Sequence, residues 1–288
     1  MLISNVIQSV KDYCYGSYNG VKIDDDKTRD KVLYGDPDKE CTGIVTTIYA
    51  SVDVIRKAHD LGANLIICHE ALLWNHGDHK EWLQESENQT YLAKKQLMDD
   101  YGIVVWRCHD YIHSGIKHKD GYTDGIFYGL AHQMGWTELP TWDDMLTDPN
   151  YVCRVYMQCQ PTTAREIGQQ MIEKFHLNGL KCVGNLDAEV TKLMVCGHVS
   201  EGGDSNSLIK YIDKEDINLL IPLELIDFTL TEYIKDSGQL GFNRAILAPG
   251  HFNIEEPGME YMLNYLDEAI GQHIDAHYVQ AGDMYEFL

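Results

Sequence analysis

The chain has 288 residues, of which 44% are hydrophobic and 24% are charged, and this composition is ordinary for a globular protein of one large or two modest domains. Its charge balance is unusual, because 45 acidic residues against 23 basic residues give a formal net charge of -22. Such a surface repels phosphate groups, so the composition argues against a nucleic-acid partner. No stretch approaches the roughly 18 consecutive apolar residues of a membrane-spanning helix, so we expect no membrane partner either.

The N-terminal segment predicts an amphipathic helix, with apolar residues at Ile3, Val6, Ile7 and Val10. It has neither the basic leader nor the unbroken apolar run of a signal peptide. The eight cysteines contain no C-x-x-C pair and mostly lie in or beside predicted strands. Buried free thiols in a reducing compartment are therefore favoured over disulfides, and we expect a cytoplasmic protein.

An alternation of strands and helices begins near residue 43. Ser51 is placed to cap one helix, and glycines follow two of the helical segments. Such alternation predicts an α/β fold with a mostly parallel or mixed sheet and right-handed crossovers. The predicted elements are a strand at 43–48, a helix at 52–61, a strand at 65–68, a helix at 91–100 and a strand at 103–108.

Residues 137–150 carry two prolines and no periodicity, so we interpret them as a domain boundary. The alternation resumes beyond them and ends with a strand at Ala245 and a helix that Pro257 opens. The elements predicted in between are a strand at 152–157, a helix capped by Thr162 or Thr163, strands near Lys181 and Leu193, a helix after Gly202-Gly203, a strand at 217–221 and a helix at 227–235.

Three of the predicted strands end on potential metal ligands. In an open α/β sheet, ligands bind in the crevice beyond the carboxyl ends of the strands. Imidazole and carboxylate without thiolate suit a divalent cation of intermediate hardness. The sequence therefore predicts a metalloprotein, and more particularly a metal-dependent enzyme. The ligand groups are His69-Glu70 after the strand at 65–68, His109-Asp110 after the strand at 103–108, and His251 with Glu255 after the strand at Ala245.

His69 and Glu70 form the first candidate pair, because consecutive residues of a loop after a strand can both turn toward one crevice. The pair is not the H-E-x-x-H zinc motif, since Leu73 stands where the second histidine would be. A solvated role or a role within the core is the alternative for each residue. The nearby cluster His76-Gly77-Asp78-His79 is either a solvated loop or part of the pocket lining.

Asp110 is the stronger candidate of the second group, because a carboxylate at a strand end can bridge two cations and a neutral imidazole cannot. His109 and His113 are one helical turn apart, and we expect them to orient ligands or to move protons. We expect Glu255 to be a ligand because His251 lies nearby on the same loop. Its neighbour Glu256 is expected only to complement the dipole of the last helix.

Four motifs distributed over nearly the whole chain are CTGIVTTI (41–48), GANLIICHE (62–70), RCHDYIH (107–113) and PGHFNIE (249–255). Together they resemble the Nif3-like family of dinuclear-metal-centre hexameric proteins. The resemblance implies two interlinked α/β domains, a metal site between them and a toroidal homohexamer, and it places family ligands on His69, Asp110, His251 and Glu255. We expect the first domain at 1–140 and 240–288, with most of the ligands, and the second at 141–239.

Many family members have a second histidine where this chain has Glu70, so we interpret Glu70 as either a ligand or a general base. As a ligand it would favour iron or manganese over zinc. The expected cofactors are two divalent metal ions per chain, of iron, manganese or zinc. Five or six oxygen and nitrogen ligands are too many for one tetrahedral site and suit a pair.

Two neighbouring cations typically polarise a carbonyl, imine or phosphoryl group, which favours hydrolysis. We expect a metal-dependent hydrolase with a small polar or phosphorylated substrate, including nucleotide-like ones, because the family is often labelled GTP cyclohydrolase-like. His113 or His109 would support proton transfer. The alternatives are an oligomer that stores or delivers metal without turnover, and a regulatory scaffold that binds protein partners.

Overall fold

The computed structural model describes residues 1–18, 20–75, 77–139, 153–199 and 203–288. His76, Gly202 and most of the predicted boundary segment lie outside these residues. The chain divides into two compact units, one comprising Met1–Gly129 with Glu255–Ala281 and the other Leu130–Ile254 with Gly282–Leu288. None of the described helices is long and apolar enough to cross a membrane.

The helices are, in chain order, α1 (Ile3–Tyr13), α2 (Val52–Asp60), α3 (Glu81–Glu85), α4 (Gln89–Tyr101), α5 (Asp110–Ser114), α6 (Gly125–Met134), α7 (Ala164–Lys174), α8 (Gly203–Glu215), α9 (Leu230–Gln239), α10 (His251–Tyr261) and α11 (Leu266–Ile270), with a 3-10 turn at Met262–Asn264. The strands are β1 (Ser17–Tyr18), β2 (Val21–Lys22), β3 (Val32–Tyr34), β4 (Ile44–Thr47), β5 (Leu65–Cys68), β6 (Val104–Arg107), β7 (Ile116–His118), β8 (Gly121–Thr123), β9 (Thr137–Leu139), β10 (Cys153–Thr163), β11 (Lys181–Gly184), β12 (Glu189–His198), β13 (Leu219–Glu224), β14 (Ala245–Ala248) and β15 (Ala276–Tyr278).

The first unit contains a five-stranded sheet in the order β15-β4-β5-β6-β3. The strands from β15 to β6 are parallel, and β3 runs antiparallel at the edge. Every residue of β4, β5 and β6 is buried, as expected of parallel strands that are covered on both faces. The predicted α2 is confirmed with its cap, because the Ser51 side chain accepts a hydrogen bond from the Val54 amide.

The second unit contains a six-stranded sheet in the order β11-β14-β13-β12-β10-β9. Only β12, β13 and β14 are parallel to one another, and the remaining pairs are antiparallel. Of the two predicted caps for α7, the structure selects Thr163, which forms a capping box with Glu166. The α/β class with mixed sheets, predicted from the alternation, is thus confirmed. The cysteine side chains that the structure describes are free thiols and, except for Cys182, are buried.

The end of the chain differs from the sequence-based expectation, which placed residues 240–288 together in the first domain. In the structure β14 pairs with both β13 and β11. The buried apolar run Ala245–Leu247 therefore completes the sheet of the second unit, and the chain up to Ile254 groups with that unit.

The start of the helix after β14 also differs, because α10 begins at His251 and contains Pro257 in its interior. The chain turns at Gly250, whose φ of 106° is readily adopted only by glycine. Glu256 consequently lies inside the helix, buried, where it accepts hydrogen bonds from the Ala281 amide at 2.7 Å and from Gln280 at 3.1 Å. Burial raises the pKa of Glu256 to about 7. The expected role of Glu256 as a partner of the helix dipole is therefore wrong.

Helices α6 and α10 approach each other at Gly129 and Gly258. A β-carbon on Gly258 would overlap the Cα atom of Ile126, and one on Gly129 would lie 2.5 Å from the Cα atom of Gly258. Only glycine allows this approach of two backbones. It fixes the part of α10 that carries Glu255, three residues before Gly258.

Replacing Gly258 by alanine should therefore destabilise the protein. We expect the free energy of unfolding to fall by roughly 1–3 kcal/mol from overpacking, although alanine is the better helix former by about 1 kcal/mol. The control is Gly121→Ala, where the new β-carbon would have no atom within 4 Å. Urea denaturation of both variants measures the difference, and equal stability would show that the approach at Gly258 is not tight.

Candidate metal centre

The carboxyl ends of β5 and β6 lie side by side, because Cys68 pairs with Arg107 in parallel register. The Cys108 amide donates to the Cys68 carbonyl at 2.8 Å and continues the pairing past the end of β6. His69 follows β5 directly, and its Nδ1 atom lies 3.0 Å from the Cys108 carbonyl oxygen. His109 is the next residue of the second strand end. The sheet therefore brings His69 and His109 to one edge, as predicted.

His113 joins these two residues because α5 starts immediately after His109. The His113 amide donates to the His109 carbonyl at 3.2 Å, so the two side chains lie one helical turn apart. The ring centroids of His69 and His109 are 4.5 Å apart, and that of His113 is 4.9 Å from each. Each ring offers a nitrogen, and these three nitrogens lie within 4.8 Å of one another. We call these residues the imidazole cluster.

Each ring of the imidazole cluster has its Nδ1 atom beside an oxygen. His69 faces the Cys108 carbonyl, His109 lies 2.9 Å from Asp110 Oδ1, and His113 lies 2.8 Å from Asp124 Oδ2. An oxygen that accepts a hydrogen bond from Nδ1–H fixes the tautomer in which Nε2 carries the lone pair, as is usual for histidines that bind metals. Nε2 is thus the expected ligand atom of all three rings.

Glu255 contacts the cluster at its most buried member. His69 is fully buried, Glu255 is 3% exposed, and His69 Nε2 lies 3.4 Å from Glu255 Oε2. This Nε2 atom makes no hydrogen bond with any described residue. A lone pair that faces a buried carboxylate oxygen needs a cation between them, either a proton on the imidazole or a metal ion. His69, Glu70 and Glu255 form a second group whose ligand atoms lie within 4.8 Å of one another.

The electrostatic surroundings favour a neutral ring at His109. Burial and the neighbouring His69 lower the pKa of His109 to about 3, although Asp110 opposes this shift. Burial alone would raise the pKa of Asp110, but hydrogen bonds from His109, Thr28 and the Arg29 amide outweigh it and lower this pKa below its usual range. The cluster therefore combines a neutral imidazole with an ionised carboxylate behind it, which suits a metal ligand and its outer partner.

Glu70 is paired with a buried arginine that the sequence analysis did not assign to the site. Arg107 is 1% exposed, its Nη2 atom lies 3.0 Å from Glu70 Oε2, and its Nε atom donates to the His69 carbonyl at 2.9 Å. Its Nη1 atom lies 3.8 Å from Asp78 Oδ2. The cationic side chain at the end of β6 thus holds the backbone of His69 and the carboxylate of Glu70 together.

Asp30 organises the turn that carries His109 and Asp110. This buried carboxylate accepts hydrogen bonds from the amides of His109, Asp110 and Tyr111, each at 2.8 Å. It satisfies the free amides at the start of α5 from a distant part of the chain. The only signal in the sequence was the acidic stretch that begins at Asp24, which predicts turns but not this contact.

The predicted residues thus fall into three sets, of which the third is His251 alone. His69, Glu70 and Glu255 meet at the edge of the sheet, together with His109 and His113, which were expected only to support the ligands. Asp110 lies behind His109 as its hydrogen-bond partner and does not belong to either group of neighbouring ligand atoms.

His251 belongs to the second unit. Its Nδ1 atom lies 2.6 Å from Oε1 of Glu224, at the end of β13. Its role as a ligand stays a prediction. Glu224 is the last residue of β13, whose other residues are buried and apolar, and this pattern could have drawn attention to it.

Replacing Asp30 by asparagine tests how the turn is organised. The amide group would turn a donor toward at least one of the three backbone amides, so we expect the free energy of unfolding to fall by about 1–3 kcal/mol. Zinc affinity should fall as well, because His109 loses its fixed position. Asp26→Asn, an exposed change in the same segment, is the control. Thermal denaturation and zinc titration give both values, and an Asp30 variant that matches the control would refute this role.

Comparison with known proteins agrees with this architecture. The model of the Duf34/NIF3 (NGG1p interacting factor 3) family matches residues 21–281. A protein of Clostridium acetobutylicum named GTP cyclohydrolase 1 type 2 homolog is 22% identical over 264 residues, which are 91% of this chain and 90% of that protein. A protein of the same name from Clostridium perfringens is 21% identical over 263 residues, which are 89% of this chain and 90% of that protein. The crystal structure of a Bacillus cereus protein related to NIF3 has the same fold, with 13% identity, a TM-score of 0.65 and coverage of 100% of this chain and 99% of that one. Because the family model spans most of its length, the chain belongs to the Duf34/NIF3 family.

Proposed function

We propose that the protein is a metal-dependent hydrolase whose divalent cation binds at the imidazole cluster and Glu255. The observation that carries this proposal is the meeting of three imidazoles and a buried carboxylate at the ends of two parallel strands. Catalytic zinc sites typically have three nitrogen or oxygen ligands from the protein and one open position. Neutral imidazoles and one carboxylate also suit iron and manganese.

The residues present fit such a cation. His69 would coordinate the cation through Nε2, since its Nδ1 faces the Cys108 carbonyl, and Glu255 would supply the anionic ligand. When bound, the cation would act as a Lewis acid on a carbonyl, imine or phosphoryl group.

Asp110 and Asp124 keep the outer rings oriented by accepting hydrogen bonds from their Nδ1 atoms. We assign one of the outer rings, His109 or His113, to the metal and the other to proton transfer through its Nε2 atom. Glu70 is held by Arg107 rather than free to move as a general base.

The names of the relatives and the chemistry of the site support a substrate class. The name GTP cyclohydrolase 1 type 2 homolog, carried by the two clostridial proteins, supports a small polar or phosphorylated substrate, including nucleotide-like ones. A cation would compensate for the repulsion that a phosphorylated molecule meets at a chain of net charge -22. We further propose the cytoplasmic homohexamer that the family resemblance implies.

Glu255→Gln tests the proposed centre. The variant keeps the size of the side chain but removes the negative charge, so we expect its affinity for zinc and manganese to fall more than about 10-fold. Hydrolysis in a panel of nucleotide and phosphoester substrates should be lost with it. The matched control is Glu260→Gln, an exposed glutamate on the same helix, which should keep both properties.

Three readouts separate the outcomes of this experiment. Equal metal content of the Glu255 and Glu260 variants, measured by elemental analysis, would refute Glu255 as a ligand. Circular dichroism of the metal-free proteins shows that both are folded. Bound metal in the natural protein, without hydrolysis but with transfer to an acceptor protein, would favour metal delivery instead.

A further inference from the structure

The sequence predicts two cations per chain, but the two groups of neighbouring ligand atoms in the structure share His69. The Nδ1 atom of His69 faces the Cys108 carbonyl at 3.0 Å, so one nitrogen lone pair remains for coordination. A neutral imidazole cannot bridge two cations through one lone pair. The two groups therefore share one coordination position at His69, and Glu70 is the member of the second group that would have to hold a second cation.

The negative charge of Glu70 is already balanced by a cationic side chain of the protein itself. Its carboxylate lies 3.0 Å from Arg107 Nη2, and both side chains are buried. Arginine stays protonated at every physiological pH and pairs with carboxylates in a fixed geometry. The same guanidinium donates through Nε to the His69 carbonyl, so it cannot turn away without breaking a second buried hydrogen bond. Glu70 is thus a positioned partner of Arg107.

A second protein cation, Lys94, is buried near Asp78, which also lies beside Arg107. Lys94 is 2% exposed and donates to the Leu72 carbonyl at 2.9 Å. It interacts electrostatically with Asp78, as Arg107 does. A divalent cation bound to Glu70 would therefore face the buried Arg107 at contact range, while Lys94 adds positive charge near Asp78 and little water screens the repulsion.

We propose that the Arg107 guanidinium takes the place of a second metal ion, so that the centre binds a single divalent cation at His69 and Glu255. This inference rests on the proposed function, because it assumes that the centre binds metal. It makes Arg107 the residue that sets the number of cations and assigns Glu70 to Arg107. The expected ligands of the single cation are His69, Glu255 and one of the rings of His109 and His113, which leaves a tetrahedral zinc ion one open position.

The natural protein provides the first test. After removal of metal with a chelator, the full chain is saturated with zinc chloride, freed of excess by gel filtration and analysed for zinc, with calorimetric titration as a second count. We expect one tightly bound zinc ion per chain. Two would overturn the inference and leave the proposed function intact, whereas none, with no manganese or iron bound either, would overturn the proposed function itself.

Variants of Glu70 and Arg107 provide the second test. Glu70→Gln should keep one zinc ion with an affinity within about threefold of the natural protein, and a loss of binding would show that Glu70 is a ligand. Glu70→His alone should also stay at one, because Arg107 keeps its charge. The double variant Glu70→His with Arg107→Met should approach two, because it adds a neutral ligand and removes the guanidinium.

Circular dichroism decides which of these variants are folded. A folded double variant that stays at one zinc ion would overturn the role of Arg107. Should the double variant fail to fold, the zinc count of the natural protein and the affinity of the Glu70→Gln variant decide the inference without it.

Discussion

The parallel pairing of β5 with β6 determines the geometry of the whole cluster. With Cys68 opposite Arg107, the next residues on the two strands bring His69 beside the Cys108 carbonyl and His109 beside His69. A shift of this register by one residue would turn these side chains to the opposite face of the sheet. The buried apolar side chains of both strands prevent that shift, so the hydrophobic core positions the candidate metal ligands.

Buried charges around this strand end are compensated in pairs by groups from distant segments. The positive charge of Arg107 balances the carboxylate of Glu70, and Asp30 accepts hydrogen bonds from the backbone amides at the start of α5. Such networks contribute little net stability, but the removal of one partner leaves an uncompensated group. Their effect here is to hold the imidazole cluster in one arrangement. Preorganisation of this kind is what a metal centre requires if binding is to occur without rearrangement.

Much of the fold and part of the site can be predicted from the sequence, because periodicity and strand ends are local properties. They locate β5 and β6 with their terminal histidines, and they predict α2 with its cap. The start of α10 was missed, since Pro257 is typical of a first helical turn and the earlier turn at Gly250 depends on where β14 ends. The pairing of Arg107 with Glu70 and the contacts of Asp30 were missed because they join segments far apart in the chain, which no spacing reveals.

The central claim is that a cation binds His69 Nε2 and Glu255 within the imidazole cluster. Anomalous diffraction from crystals of the zinc-loaded protein, recorded on both sides of the zinc absorption edge, tests it most directly. We predict one strong peak per chain at roughly 2.0–2.1 Å from His69 Nε2, with a Glu255 oxygen at a comparable distance. Peaks confined to other residues, with His69 and Glu255 still in direct contact, would contradict it.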